Sequence, residues 1–286
     1  MKLSVVLAVQ NEPEILRRCL SAVKDIANEI IIVDDASTED ITSVAKSFGA
    51  KVYPFKHKNN FHEAKQFGIE KAKGEWVLQL DADEVVTKEL RNEIENVINS
   101  QQTTDYGLQQ KNRLFERYQK LIEKRDGVKF ETEGEITAYF IPRLNIFLGK
   151  PIKHGGIYPD AVIRLWKNGS AFLPAKSVHE LPVVNGRVSW LTSDLLHYDS
   201  PTFSRYLERH NRYTDLIAKD FSREKVPHNT LYLIHYSFTL PLNHFLNLYL
   251  RHKGFLDGFP GFVWSLFSAL RFPISYFKYY QQKVSS

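Results

Sequence analysis

Residues 75–84 read EWVLQLDADE, in which the apolar run Trp76–Leu80 ends directly in Asp81-Ala82-Asp83-Glu84. A short run with almost no polar positions is the pattern of a strand buried on both faces, and such strands belong to parallel sheets covered by helices. Two earlier runs have the same form. Leu3–Val9 passes into Gln10-Asn11-Glu12, and Glu29–Val33 stops at Asp34-Asp35. Between them Ile15, Leu16, Cys19, Leu20 and Val23 fall on one helical stripe, and Pro13 suits the first turn of that helix. Ser37 or Thr38 can cap a second helix that Gly49 ends, before a third strand at Lys51–Phe55. A helix over Phe61–Lys73, closed by Gly74, leads back to the opening stretch, and Thr87 opens another helix to Asn99. This βαβα order predicts an α/β fold, a mostly parallel Rossmann-like sheet with helices on both faces.

The pattern weakens after residue 100. Tyr106–Arg113, Thr137–Phe147 and Ala161–Trp166 read as strands, Arg113–Lys129 as a charged helix, and KHGGIYPD (Lys153–Asp160) as a loop. From Pro201 the chain reads as helical, first polar and then apolar and aromatic. The expected division is therefore 1–200 and 201–286. Charge follows it: residues 1–200 carry 27 Lys/Arg against 28 Asp/Glu, and residues 201–286 carry 11 against 5.

Composition excludes several classes. With 43% hydrophobic and 25% charged residues, the 286-residue chain can bury a core, which excludes disorder and fibrous folds. The single cysteine, Cys19, excludes a disulfide framework or a multi-thiolate zinc site and fits a reducing compartment. The apolar run at the start is too short for a signal peptide and no small-residue cleavage site follows it, so an intracellular protein is expected. The loop after the first strand has no glycine, so it is neither a G-x-G-x-x-G dinucleotide turn nor a P-loop.

Ligands of parallel α/β sheets bind at the carboxyl ends of the strands, where all three polar clusters fall. Two carboxylates spaced i, i+2 after a buried strand can lean toward one hard divalent cation that also holds phosphate oxygens. Asp81 and Asp83 have that spacing, with two more polar clusters at neighbouring strand ends.

LSVVLAVQNEPEILRRCL, EIIIVDDAST and GEWVLQLDADE, in this order and spacing, resemble the N-terminal half of family 2 glycosyltransferases. YPDAVIRLW, the Val178-His179-Glu180 step and GFLDGFPGF extend the resemblance toward the branch of lipopolysaccharide core-type glucosyltransferases. The resemblance implies a GT-A fold, a nucleotide-sugar donor, a glycan or glycolipid acceptor, and Mg²⁺ or Mn²⁺. Where the family usually has a proline in the first loop, this chain has Ala8 and Val9. Ala8, Val9, Asn11 and Glu12 would line the nucleobase pocket, and Asp34, followed by Asp35, would accept from the base or ribose. The lesser reading of Asp34 is a turn acid or cap at the strand end. Lys65 would meet the diphosphate or serve only a solvated helix face. Asp81 would contact ribose or metal, and Asp83 the metal. Glu84 would orient that shell or begin the next helix. Arg164 would serve phosphate or anchor its loop. His179 would complete the metal shell or hold Glu180, which would be the base that deprotonates the acceptor. Asp160 is the rival base.

The tail suggests a further partner. Residues 226–250 contain no Lys, Arg, Asp or Glu, but three His, three Asn after residue 228 and Pro241 interrupt the run. An in-plane association with an anionic membrane surface, on the cytoplasmic face of the inner membrane, fits better than a span. The other reading packs these aromatics onto the catalytic domain. No nucleic-acid partner is expected. A sugar-nucleotide nucleotidyltransferase would show a glycine-rich first loop, and a non-catalytic scaffold would have lost the paired aspartates. An inverting glycosyltransferase is the leading expectation. On that reading Glu180→Gln lowers kcat by roughly 10²–10⁴-fold with donor binding nearly unchanged. Steady-state kinetics beside Asp160→Asn check this, and a larger kcat loss in the Asp160 variant moves the base there.

Overall fold

The computed structural model describes residues 2–57, 60–100, 113–174 and 181–284. The chain divides into two compact units, residues 1–143 with 159–197, and residues 144–158 with 198–286. The second unit thus begins near the expected boundary and also takes in the segment 144–158.

The first unit opens with β1 (Leu3–Val9), α1 (Pro13–Val23), β2 (Glu29–Asp35), α2 (Ile41–Ser47), β3 (Lys51–Phe55), α3 (Phe61–Ile69) and β4 (Trp76–Leu80). Then come β5 (Glu84–Val86), α4 (Lys88–Asn99), α5 (Arg113–Asp126) and β6 (Glu131–Ile141). β7 (Arg143–Phe147) and β8 (Lys150–Pro151) lead to β9 (Val162–Lys167) and β10 (Ala171–Phe172), then β11 (Val183–Val184), β12 (Arg187–Trp190) and β13 (Leu195–Ser200). Seven strands form the central sheet in the order β12-β6-β9-β4-β1-β2-β3. β4, β1, β2 and β3 run parallel, whereas β9 lies antiparallel to both β4 and β6.

The apolar strands without alternation serve two cores at once. Leu3, Val5, Leu7 and Val9 of β1 pack with Leu16, Cys19 and Leu20 of α1 on one face. Val6 packs with Ile31 and Val77 on the other, and Ala8 with Val33 and Ala64. The period-2 geometry of a strand sends successive side chains to opposite faces, so both faces must be apolar when both are covered. Cys19 is fully buried, and burial pushes its thiol well above the usual range.

The structure corrects several local expectations. α2 is capped by Asp40, whose Oδ1 accepts from Ser43 N at 3.0 Å, because Ser37 and Thr38 are used in the loop before it. α3 ends at Ile69, short of Lys73. Gly74 is a close-approach residue: a Cβ there would lie 2.7 Å from Ser4 N. The single strand expected over Thr137–Phe147 is divided at Pro142, which has no N–H to give a ladder. Glu84 starts the three-residue β5 rather than a helix. The expected strand over Tyr106–Arg113 falls almost entirely outside the described residues.

The second unit contains β7 paired with β8 and the Tyr198–Ser200 end of β13, and the rest of its regular structure is helical. It contains α6 (Phe203–Arg223), α7 (Thr230–Ile234), a π turn at His235–Thr239, α8 (Leu240–Leu246), a second π turn at Asn247–Arg251, and α9 (Gly258–Val284). α9 packs on α6 through Tyr276, Tyr279, Ala218 and Phe221, and the Tyr279 hydroxyl donates to Val226 O at 2.8 Å. No helix among the described residues is long and apolar enough to cross a membrane.

One contact sets how near α3 lies to the sheet. A Cβ on Gly68 would stand 2.8 Å from both Val33 Cγ2 and Val6 Cγ1, two buried side chains with no room to retreat. Gly68→Ala is therefore expected to cost about 1–3 kcal/mol through overpacking, despite the better helix propensity of alanine. Urea unfolding of the variant checks this, and an unchanged or raised midpoint contradicts the packing argument.

Candidate active site

Register brings the three polar clusters to one edge. Val9 pairs with Asp34 across β1 and β2, and Leu7 pairs with Leu80 across β1 and β4. The residues after each strand therefore emerge side by side.

The first two loops are laced together. Asn11 and Glu12 both have φ near 62°, turning the chain sharply from β1 into α1, which Pro13 then begins. Asn11 tolerates this left-handed backbone better than most residues. Its Oδ1 accepts from Thr38 N at 2.8 Å and Glu39 N at 3.1 Å, and its own N–H donates to Ser37 Oγ at 2.8 Å. Glu12 N donates to Glu39 Oε2 at 3.2 Å. Asp34 Oδ1 accepts from Ser37 N at 2.9 Å, three residues on, which fixes the turn after β2. The side chains of Ala8 and Val9 are buried in the two cores.

Asp35 has a different environment. It is almost fully buried, and its Oδ2 lies 2.9 Å from His57 Nδ1. Its Oδ1 is buried with no hydrogen-bond partner among the described residues. A buried acceptor without a donor is costly, so a ligand donor at this strand end would relieve it.

At the end of β4 the two aspartates of the motif diverge. Asp81 is gripped on both oxygens: Oδ1 lies 2.5 Å from Lys65 Nζ and Oδ2 lies 2.5 Å from Arg164 Nη2. Lys65 is held there by α3, and Arg164 by β9, whose antiparallel register sets Leu165 opposite Leu78. Arg164 also donates to Gln79 and, at 2.8 Å, to the fully buried Glu84 Oε1. Glu84 Oε2 accepts from Asp81 N at 2.9 Å, which fixes the turn from beneath. Arg143 approaches Glu84 at 3.4 Å and pairs with Asp160 Oδ2 through Nη2 at 2.7 Å and Nε at 3.0 Å. Three cations thus face three carboxylates. Burial opposes ionisation of Asp81, yet Arg164 and Lys65 outweigh it and hold its carboxyl well below the usual carboxylate range. Burial likewise opposes the Arg164 charge, and Asp81 and Glu84 prevail, raising its pKa. Burial and the Asp160 charge push the nearby Tyr118 hydroxyl up to about 12.

Asp83 stands outside this network. Its Oδ2 lies 3.5 Å from Nε2 of His197, which β13 places there by pairing His197 with Glu84 of β5. Burial works against the Asp83 charge, but the His197 hydrogen bond and charge overcome it and lower the carboxyl pKa. One carboxylate oxygen and one imidazole nitrogen at this separation are donors that suit Mn²⁺, and Mg²⁺ less well because of the nitrogen. Both Asp81 oxygens are engaged, so Asp83 is the motif carboxylate open to a cation. Asp199 follows His197 by two positions, so both leave the same face of the strand.

Asn11, Glu12, Asp34, Asp35, Lys65, Asp81, Asp83, Arg164 and Asp160 all lie in this unit at or near the loop edge. His179 and Glu180 lie outside the described residues. Sequence reasoning missed Gln79, Arg143 and His197. His197 carried a signal: His197-x-Asp199, directly after Leu195-Leu196, repeats the i, i+2 spacing of the aspartate pair.

A family model described as glycosyl transferase family 2 matches residues 4–156. That span is more than half of the chain, which therefore belongs to glycosyl transferase family 2 and is a glycosyltransferase. An uncharacterised glycosyltransferase of Rickettsia typhi is 26% identical over 277 residues, covering 94% of this chain and 83% of that protein. Another from Rickettsia bellii is 38% identical over 105 residues, 37% of this chain and 35% of that protein. Among solved structures, the mannosyltransferase of Pyrobaculum calidifontis in complex with GDP-Man and Mn²⁺ has a TM-score of 0.48 at 12% identity, covering 99% of this chain and 88% of that one. Glucosyl-3-phosphoglycerate synthase of Mycobacterium tuberculosis, with Mn²⁺ and UDP, has a TM-score of 0.43 at 16% identity, covering 80% and 81%.

The charge network predicts a stability cost with a defined pH dependence. Arg164→Met leaves Asp81 and Glu84 undercompensated and is expected to cost about 3–5 kcal/mol at neutral pH. The folded pKa of Asp81 is depressed, so its contribution is present above the unfolded value near 3.9 and fades as pH falls through the folded one. The gap between wild type and variant should therefore narrow in acid. Urea titrations at neutral and acidic pH measure it, and a gap that widens on acidification overturns the assignment.

Proposed function

We propose that the protein transfers a hexose, with inversion, from a nucleoside-diphosphate sugar to a hydroxyl of a glycan or glycolipid acceptor. The donor in this proposal is a UDP-sugar, and the setting is cell-envelope or lipopolysaccharide-type glycan synthesis. The observation that best supports the reading is the divergence of the paired aspartates, with Asp81 locked to Lys65 and Arg164 and Asp83 left beside His197.

Roles follow from this arrangement. The unpartnered Asp35 Oδ1 is suited to accept from the imino N–H of uracil, while the Gln10–Glu12 loop bounds the base. Asp34, with one oxygen in its turn, keeps the other for the ribose. Asp83 and His197 would hold Mn²⁺ or Mg²⁺, which supplies positive charge beside the departing nucleoside diphosphate. Lys65 and Arg164 keep Asp81 and the turn fixed, so that donor binding needs little reorganisation. Glu180, whose role comes from the sequence resemblance alone, takes the proton of the acceptor hydroxyl as it attacks the anomeric carbon. Asp160 is less suited to that step, because two nitrogens of Arg143 already hold its Oδ2.

A screen of nucleotide sugars for nucleoside diphosphate release, with Mn²⁺, Mg²⁺ or chelator, tests the proposal. Release is expected from a UDP-hexose only with a divalent cation. Asp83→Ala should lower turnover at limiting metal by about 100-fold or more while leaving the thermal midpoint nearly unchanged, since the lost group is a cation ligand rather than a core contact. Undiminished release in chelator, or by Asp83→Ala, overturns the metal assignment.

A further inference from the structure

The helical unit leaves one long apolar face uncovered. Residues 230–251 form a continuous rod in which α7 and α8 are each followed by a π turn. Leu231, Ile234, Phe238, Leu242, Leu246 and Leu250 are 41–77% exposed. From Ile234 onward they recur every four residues. In an unbroken α-helix each four-residue step drifts by about 40° around the axis, so such a row would wind off any one face. A π turn, closed by i→i+5 bonds, holds more than four residues and drifts the other way. The two π turns therefore keep the row in line. Beyond the tip, Phe255, Leu256, Phe259 and Phe262 are exposed as well, and Phe262 meets Phe245 and Tyr249 edge-on at 6.0 and 5.9 Å. The apolar face is thus continuous from rod to tip.

Charge is arranged at its ends. Residues 226–250 carry no Lys, Arg, Asp or Glu. Exposed Arg223 and Lys225 precede the rod with Glu224 between them, exposed Arg251 ends it, and exposed Lys253 follows. The single acid of residues 226–286, Asp257, is turned inward, accepting from His154 N at 2.7 Å and lying 2.8 Å from His154 Nδ1. A second copy is a poor occupant, because parallel or antiparallel pairing of two rods sets cations against cations at both ends. An apolar row with aromatic residues and cationic ends fits lipid with anionic headgroups.

We propose that residues 230–262 are a monotopic membrane seat, lying in the plane of an anionic bilayer with the Leu231–Leu250 row in the acyl boundary and Arg251 and Lys253 among the headgroups. No described helix is long and apolar enough to cross the membrane, which agrees with seating rather than spanning. The proposal does not depend on the donor or metal assignments.

Flotation of the full chain with phosphatidylcholine vesicles, with and without phosphatidylglycerol, tests it. The protein should float with the anionic vesicles at low salt and be released by high salt. Arg251→Gln with Lys253→Gln should weaken partitioning roughly 20–30-fold. Phe238→Glu with Leu242→Glu should abolish flotation while leaving circular dichroism and nucleoside diphosphate release unchanged. Wild-type protein that stays at the bottom of the gradient overturns the proposal, as does a double glutamate variant that folds and still floats. Release only by detergent overturns it in favour of a span. A dimer that the glutamate variant dissociates, without vesicle binding, overturns it in favour of a second copy.

Discussion

The site depends on the neutralisation of Asp81 inside the protein. Its side chain is only 24% exposed, and two cations compensate its charge at 2.5 Å, Lys65 from one side and Arg164 from the other. Arg164 then needs a second anion, which Glu84 provides from beneath the turn, and Glu84 draws in Arg143, which in turn holds Asp160. The chain of compensation fastens α3, β4, β9 and the start of β7 around one corner of the sheet. Its balance frees Asp83 to meet His197.

That corner rests on close packing behind it. Lys65 and Gly68 are three residues apart, so they share a face of α3. Because Gly68 carries no Cβ, α3 lies against Val6 and Val33, and this proximity lets a lysine one turn earlier reach Asp81. At the other end of the sheet, buried Glu29 accepts from Ser4 Oγ, Lys73 N and Lys51 Nζ. The polar residues of the interior are therefore concentrated at the two ends of apolar strands, where backbone continuity needs them least and loops can use them.

The helical unit solves a different problem. Its interior is aromatic, with Tyr236 stacked on Tyr276 at 5.0 Å and Tyr276 and Tyr279 hydroxyls satisfied by backbone carbonyls. The aromatic richness of the tail thus has two sources that composition alone merges: residues that build this core, and residues such as Phe238 and Phe259 that remain exposed. Only the fold separates them.

The strands β1 to β4, their helices and the clustering of Asn11, Asp34 and Asp81 at one edge were legible in the sequence, because burial on both faces leaves a local pattern of apolar residues. Of the later strands, β9 was legible as Ala161–Trp166 and β7 was merged with β6 across Pro142, whereas β8 and β10 to β13 left no such pattern. The sequence also presented Asp81 and Asp83 as an equivalent pair, and Asp34 and Asp35 as neighbours with one role. Tertiary structure divided each pair: Asp81 went to Lys65 and Arg164, Asp83 to His197, Asp34 to its own turn and Asp35 to His57 with one oxygen left unpartnered. These partners are set by the register of β9 against β4 and of β13 against β5, and by the distance of α3 from the sheet. Strand register across such separations arises from the packing of whole elements and has no local signature, which is why the sequence determined where the carboxylates gather and only the fold decided what each one holds.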